Sequence, residues 1–169
     1  MNFDSHPLQI SKVTDHSQAD ALLQLMKRAM MLYAQEARIP LYRRDGSYTL
    51  TALNETRGDM VEAMNREDLL AANLNGEWVG SVRLVSDHEL GKTLLTRFCV
   101  EPRYRSQGIG AELLETACSF LKEQGIREVY LYTAQENTRL LEFYKRHGFF
   151  LYSVNSGRPY PRVCLLRYL

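Results

Sequence analysis

Arg105-Ser106-Gln107-Gly108-Ile109-Gly110-Ala111 separates an apolar, strand-like run ending at Val100 from a segment of strong helical periodicity. Pro102 breaks the chain between the two, and the glycines let the backbone come close to a ligand. The helix that follows opens with N–H groups that have no acceptor inside it, and its dipole places partial positive charge at the same end. These features make an anion cradle, suited to phosphate, that relies on backbone donors more than on any one side chain.

Two familiar glycine loops do not match. A nucleotide-triphosphate loop needs Gly-Lys-Ser/Thr, whereas Gly110 is followed by Ala111 and Glu112. A dinucleotide fingerprint needs a third glycine three positions after the second, and Leu113 stands there. A phosphate ligand is therefore expected without triphosphatase chemistry or nicotinamide binding.

Outward from this turn, periodicity sets the organisation. Residues 92–100 and 78–85 read as strands joined across 86–91, and Asn75-Gly76 is a hairpin turn leading back to a strand at 68–73. Residues 8–13 alternate like an edge strand, after which Asp15 or Ser17 can cap a helix carrying Leu22, Leu23, Leu25, Met26, Ala29 and Met30. Residues 33–53 hold Pro40, Gly46 and several arginines and tyrosines without a sustained period and read as a loop, while 55–65 reads as a helix. On the other side, 108–124 is an amphipathic helix closed by Gly125. A strand at 128–133, a helix at 137–147 stopped by Gly148, and a strand hairpin of 149–154 with 163–168 complete the chain. A strand, the 108–124 helix and the next strand form a crossover whose ligand crevice lies at the carboxyl ends of the strands.

Composition places few further constraints. A chain of 169 residues supports one sizeable core, so a single domain over 1–169 is expected. Its 21 basic and 20 acidic residues nearly cancel, which gives no global field to attract nucleic acid or an anionic membrane. No apolar run approaches the roughly 18 residues of a membrane span, and Met1-Asn2-Phe3-Asp4-Ser5-His6 lacks the blocks of a signal peptide, so a cytoplasmic protein is expected. Cys99, Cys118 and Cys164 are odd in number, widely spaced and set in apolar patterns, as reduced core thiols are, and no metal site is expected.

The cradle and its strand resemble motif A of the GNAT superfamily of N-acetyltransferases, here Leu95-Thr96-Arg97-Phe98-Cys99-Val100-Glu101-Pro102-Arg103-Tyr104-Arg105 followed by Gly108 and Gly110. A second block follows in order and spacing: Leu131-Tyr132-Thr133, then Asn137, Phe143-Tyr144 and Gly148-Phe149. The resemblance covers residues 77–150. It implies an α+β fold with a central mixed, mostly antiparallel sheet of six to seven strands and about four helices. It also implies acetyl-CoA as co-substrate, a primary amine or peptide amine as acceptor, direct attack in a ternary complex, and pairing into a homodimer, with which the apolar tail at 163–169 is compatible.

The same resemblance assigns roles. Phe98, Cys99 and Val100 would pair with the pantetheine arm, and Arg105, Ser106, Gln107, Gly108, Ile109, Gly110 and Ala111 would hold the pyrophosphate. The N–H of Phe98 would polarise the thioester carbonyl. Asn137 would lie near the pantetheine, or simply cap its helix. Tyr144 would protonate the departing thiolate, a role suited to a phenol of ordinary pKa, or else only pack its helix onto the sheet.

The general base is open. Some relatives carry a glutamate where Leu94 stands, so Glu36, Asp87, His88, Glu89 or a water held by Thr96 are the alternatives. Substrate contacts are expected from Glu36, Tyr42 and Arg97, with Arg38, Arg43, Arg44 and Tyr48 nearby. Their arginine forks favour an amine that carries a carboxylate, against the plain reading of a mixed solvated loop. Two other readings are a longer acyl donor and a CoA-binding regulatory module without turnover.

Overall fold

The computed structural model describes residues 7–157 and 159–169, so the Met1–His6 segment read for a leader lies outside the described residues. Seven strands form one mixed sheet in the order β1-β2-β3-β4-β5-β7-β6. They are β1 (Leu8–Lys12), β2 (Leu69–Leu74), β3 (Glu77–Asp87), β4 (Lys92–Val100), β5 (Glu128–Ala134), β6 (Phe150–Asn155) and β7 (Arg162–Tyr168). Every pairing is antiparallel except that of β4 with β5. Four α-helices accompany the sheet: α1 (Ala19–Glu36), α2 (Arg57–Asn65), α3 (Ile109–Glu123) and α4 (Thr138–Arg146). The expected α+β architecture is thus the observed one.

Alternation along β2 shows how the two faces are covered. Leu70 and Ala72 join a core with Leu113, Leu114, Tyr144 and Phe149, so α3 and α4 lie on that face. Leu69 and Ala71 join Leu22, Leu25, Met26, Met60 and Met64, so α1 and α2 lie on the other. Burying such a fully enclosed Leu or Met is worth about 1.5–3 kcal/mol, which makes the period-two pattern of β2 the constraint on its register.

Three boundaries differ from the sequence reading for identifiable reasons. Helix α1 runs through residues 33–36, because Ala34 continues its buried stripe and Tyr33 is tied to β5. Helix α2 starts after Glu55, at a capping box in which Thr56 and Asp59 exchange hydrogen bonds with each other's backbone. Asp15 caps a short 3-10 turn (His16–Gln18) ahead of α1 and not α1 itself. The Asn75-Gly76 turn has φ of 52° and 89°, the doubly positive geometry that a two-residue hairpin requires.

Strand β7 lies inside the sheet with Val163 to Leu166 buried, so the first part of the apolar tail seen in the sequence is core, whereas Tyr168 is exposed. Edge strand β6 carries four exposed apolar residues, Phe150, Leu151, Tyr152 and Val154. All three cysteines are free and buried, and burial pushes the Cys99 and Cys118 thiols up to about 11, which keeps them unreactive. Among the described residues no helix is long and apolar enough to cross a membrane.

Candidate active site

The site begins where the parallel pair opens. β4 and β5 are hydrogen-bonded only from Lys92–Glu128 to Leu94–Tyr130, although both strands continue further. On its other side β4 carries a bulge: Arg83 faces Thr96 and Ser81 faces Cys99, which leaves Arg97 and Phe98 opposite one residue. Arg97 takes a left-handed φ of 55°, a conformation costing about 1–2 kcal/mol for a residue with a Cβ. It is held there by Nε donating to Glu55 Oε1 at 2.8 Å and Nη2 to Thr51 Oγ1 at 3.2 Å.

Two cavities flank the opened strand. The larger, of about 580 Å³, is lined by Phe98, Cys99 and Val100 from β4 and by Arg105, Ser106, Gly108, Ile109, Gly110 and Ala111 from the turn into α3. Gly108 is the N-cap of α3 with φ of 81°, and Ser106 has φ of 63°. The first turn closes with Glu112 N–H donating to Gly108 O at 3.1 Å, so the N–H groups of Ile109, Gly110 and Ala111 precede any intrahelical acceptor. A Cβ on Gly110 would meet Val100 Cγ2 at 3.4 Å, Phe98 Cζ at 3.6 Å and Phe143 Cζ at 3.7 Å. The helix start is therefore packed in van der Waals contact with the end of β4. Asn137 closes the far wall, buried, with its side-chain oxygen accepting from Leu140 N–H at 3.2 Å; the carboxamide caps α4 and lines the cavity at once.

The smaller cavity, of about 320 Å³, lies between β4, β5 and the segment after α1. Tyr144 lines it and is buried in an aromatic cluster, with ring centroids 6.0 Å from Phe98, 5.4 Å from Phe143 and 5.5 Å from Phe149. Burial raises its phenol well above the ordinary value, so the group is protonated at any working pH. That departs from the ordinary phenol assumed from sequence. Met30, Tyr33, Phe98 and Leu140 line both cavities, which meet there. Tyr33 is fixed by its hydroxyl, which accepts from Ala134 N–H at 2.7 Å and lies 3.3 Å from Thr133 Oγ1.

The other sequence candidates are distributed unevenly. Arg97 lines the smaller cavity. Glu36 lines the larger one, where it pairs with Arg105 and, at 3.8 Å, Arg139. Gln107 is exposed and outside the cavity lining, and Tyr42 is exposed against Tyr48 at a centroid distance of 5.1 Å, in neither cavity. Asp87, His88 and Glu89 sit at the far end of the β3–β4 hairpin, and of the proposed base positions only Thr96 borders the smaller cavity. Sequence reasoning missed Tyr33, Tyr160 and Arg162. Burial pushes the Tyr160 phenol up to about 12, and Arg162 enters from β7. Tyr160 lies in the loop between β6 and β7 and Arg162 begins β7; neither belongs to a recognisable block, so no local signal marks them as site residues.

Comparison with known proteins gives the family and supports the fold. The model of the acetyltransferase (GNAT) family matches residues 39–149, and the chain belongs to that family. It is 31% identical over 81 residues to N-alpha-acetyltransferase 30 of Schizosaccharomyces pombe, covering 46% of this chain and 54% of that protein. It is 44% identical over 50 residues to an uncharacterized N-acetyltransferase of Methanocaldococcus jannaschii, covering 30% and 22%. The chain thus spans about half or less of the length of these curated relatives. Among solved structures, the PaiA N-acetyltransferase of Thermoplasma acidophilum in complex with coenzyme A superposes with a TM-score of 0.75 at 18% identity, covering 96% of this chain and 99% of that one.

Proposed function

We propose that this chain is a single-domain, acetyl-CoA-dependent N-acetyltransferase that acetylates a primary amine in a ternary complex. The observation that carries this reading is the meeting of two cavities at Phe98, one ending at a phosphate-type helix start and the other containing Tyr144. The residues present fit acetyl-CoA. Donors of the α3 N-terminus and Arg105 suit the pyrophosphate, and apolar walls that include Met30, Val100 and Phe143 suit the pantetheine arm.

When bound, acetyl-CoA supplies a thioester whose carbonyl carbon bonds to the amine nitrogen as its C–S bond breaks. The Phe98 N–H, at the bulge where β4 leaves β5, donates to the carbonyl oxygen as charge grows there. Tyr144 donates its phenolic proton to the leaving sulfur. Because burial makes this phenol a weak acid, hydrogen-bond stabilisation of the sulfur precedes full proton transfer. No Asp, Glu or His lines the smaller cavity among the described residues, so the amine enters neutral and its surplus proton leaves to water held at Thr96.

Thiol release from acetyl-CoA with a panel of amines tests the reading, and amine-dependent release is expected. Saturable acetyl-CoA binding with no release for any amine would replace it with a binding module, the alternative that the absence of a carboxylate base favours.

A further inference from the structure

The smaller cavity has an unusual charge pattern. Arg43, Arg97 and Arg162 reach it from three separate parts of the chain, and no carboxylate lines it among the described residues. Each guanidinium has partners that position it without neutralising the cavity. Arg43 donates to Thr49 O at 3.4 Å, a neutral carbonyl. Arg97 pairs with Glu55, but Glu55 also binds Arg83 and lies outside the lining, so one carboxylate serves two arginines. Arg162 stands between the rings of Tyr160 at 5.8 Å and Tyr132 at 6.0 Å, and its buried Nε has no hydrogen-bond partner. A buried donor left unsatisfied is costly, and an arginine is the side chain whose fork matches carboxylate or phosphate.

We infer that the acceptor is a small amine that also carries an anionic group, a carboxylate or a phosphoryl group, and that Arg43, Arg97 and Arg162 select it. This rests on the amine acetyltransfer reading above. The anion pairs with the guanidiniums, while the amine end points toward the junction at Phe98, which the two cavities share. A cavity of about 320 Å³ is at the small end of ligand sites, in keeping with an amino-acid-sized molecule. A polyamine would bring several ammonium groups against three guanidiniums, with like charges a few ångströms apart in a partly dry site.

Matched acceptors test this: L-amino acids against their C-terminal amides, phosphoethanolamine against ethanolamine, and spermidine. A neighbouring carboxylate raises the amine pKa, so intrinsic reactivity favours the amides and a preference for the acids must come from the protein. The expected result is a kcat/KM at least tenfold higher for the anionic member of one pair, with spermidine poorest. The amino-acid pair and the phosphate pair tell which anion is read. Arg162→Met and Arg43→Met should collapse that ratio by lowering the value for the anionic acceptor, whereas Arg66→Met, remote from the cavity, should keep it.

A ratio at or below one in both pairs, or spermidine as the best acceptor, overturns the inference while leaving acetyl transfer intact. If no amine is turned over, the transfer reading fails instead. Calorimetric titration with the same pairs then decides the anion site, equal affinity within each pair counting against it.

Discussion

The Arg105 guanidinium is held by both carboxylate oxygens of Glu36, across the wall of the larger cavity. Glu36 is the last residue of α1, where the helix dipole disfavours a negative charge. Its position there is compensated by Arg105 and Arg139. A pyrophosphate arriving at the α3 N-terminus competes with Glu36 for the same fork. Glu36→Gln should therefore tighten acetyl-CoA binding by about three- to tenfold at low salt, and the gain should shrink as ionic strength rises. Calorimetry at two salt concentrations checks this; weaker binding in the variant would mean that Glu36 instead orients Arg105.

Gly108 has open space around it, with nothing within 4 Å of where a Cβ would stand, so its need for glycine is conformational: a φ of 81° at the N-cap. Gly108→Val should cost at least about 1 kcal/mol, or 2–4 °C in Tm, and weaken acetyl-CoA binding tenfold or more by moving the α3 donors. Gly108→Asn, which tolerates that conformation better, should lose less on both counts, and Ser106→Ala little in either.

Tyr144→Phe keeps the ring contacts and removes the proton donor. Turnover should fall about a hundredfold with acetyl-CoA affinity changed less than about twofold. The rate should rise with pH up to the amine's own pKa, about 7.7–8.0 for an α-amino group next to an amide and higher for the free amino acid, and show no fall from Tyr144 below pH 10. The sign follows from burial, which raises the phenol pKa and keeps it protonated past its ordinary range. An unchanged rate in Tyr144→Phe would remove the donor role.

The Glu115 carboxyl lies below its ordinary range, chiefly because Arg167 donates to it, with Nη1 at 2.9 Å from Oε1, and secondarily because His147 Nδ1 lies 3.0 Å away. A depressed carboxyl contributes stability above its unfolded value of about 4.5 and loses it as pH falls through the lower folded value. The Glu115 side chain is about half exposed, so the effect is small. Glu115→Gln should lower Tm by about 1–3 °C at pH 7, and the difference should shrink as the pH falls through the depressed folded value; a constant difference would point to packing instead.

Much of this architecture was legible because local chemistry and global fold agree. Asn75-Gly76 marked a hairpin, Pro102 and Gly108 marked the passage from β4 into α3, and Gly125 and Gly148 marked helix ends. The illegible parts depend on distant residues. The last turn of α1 is stabilised by Tyr33 bonding to β5, about a hundred residues away, and cannot be read from its own composition. The bulge at Arg97 depends on Glu55 and Thr51. The three-arginine wall exists only because β7 brings Arg162 beside residues 43 and 97, and no spacing rule reports that.

Calorimetric titration of the purified protein with acetyl-CoA, with NADH and ATP as comparison ligands, reads out the ligand of the larger cavity. Saturable one-to-one binding of acetyl-CoA, weakened at least tenfold in Gly108→Val and not matched by NADH or ATP, is the predicted result. A folded protein that binds none of the three, or binds all alike, would contradict the assignment of the larger cavity.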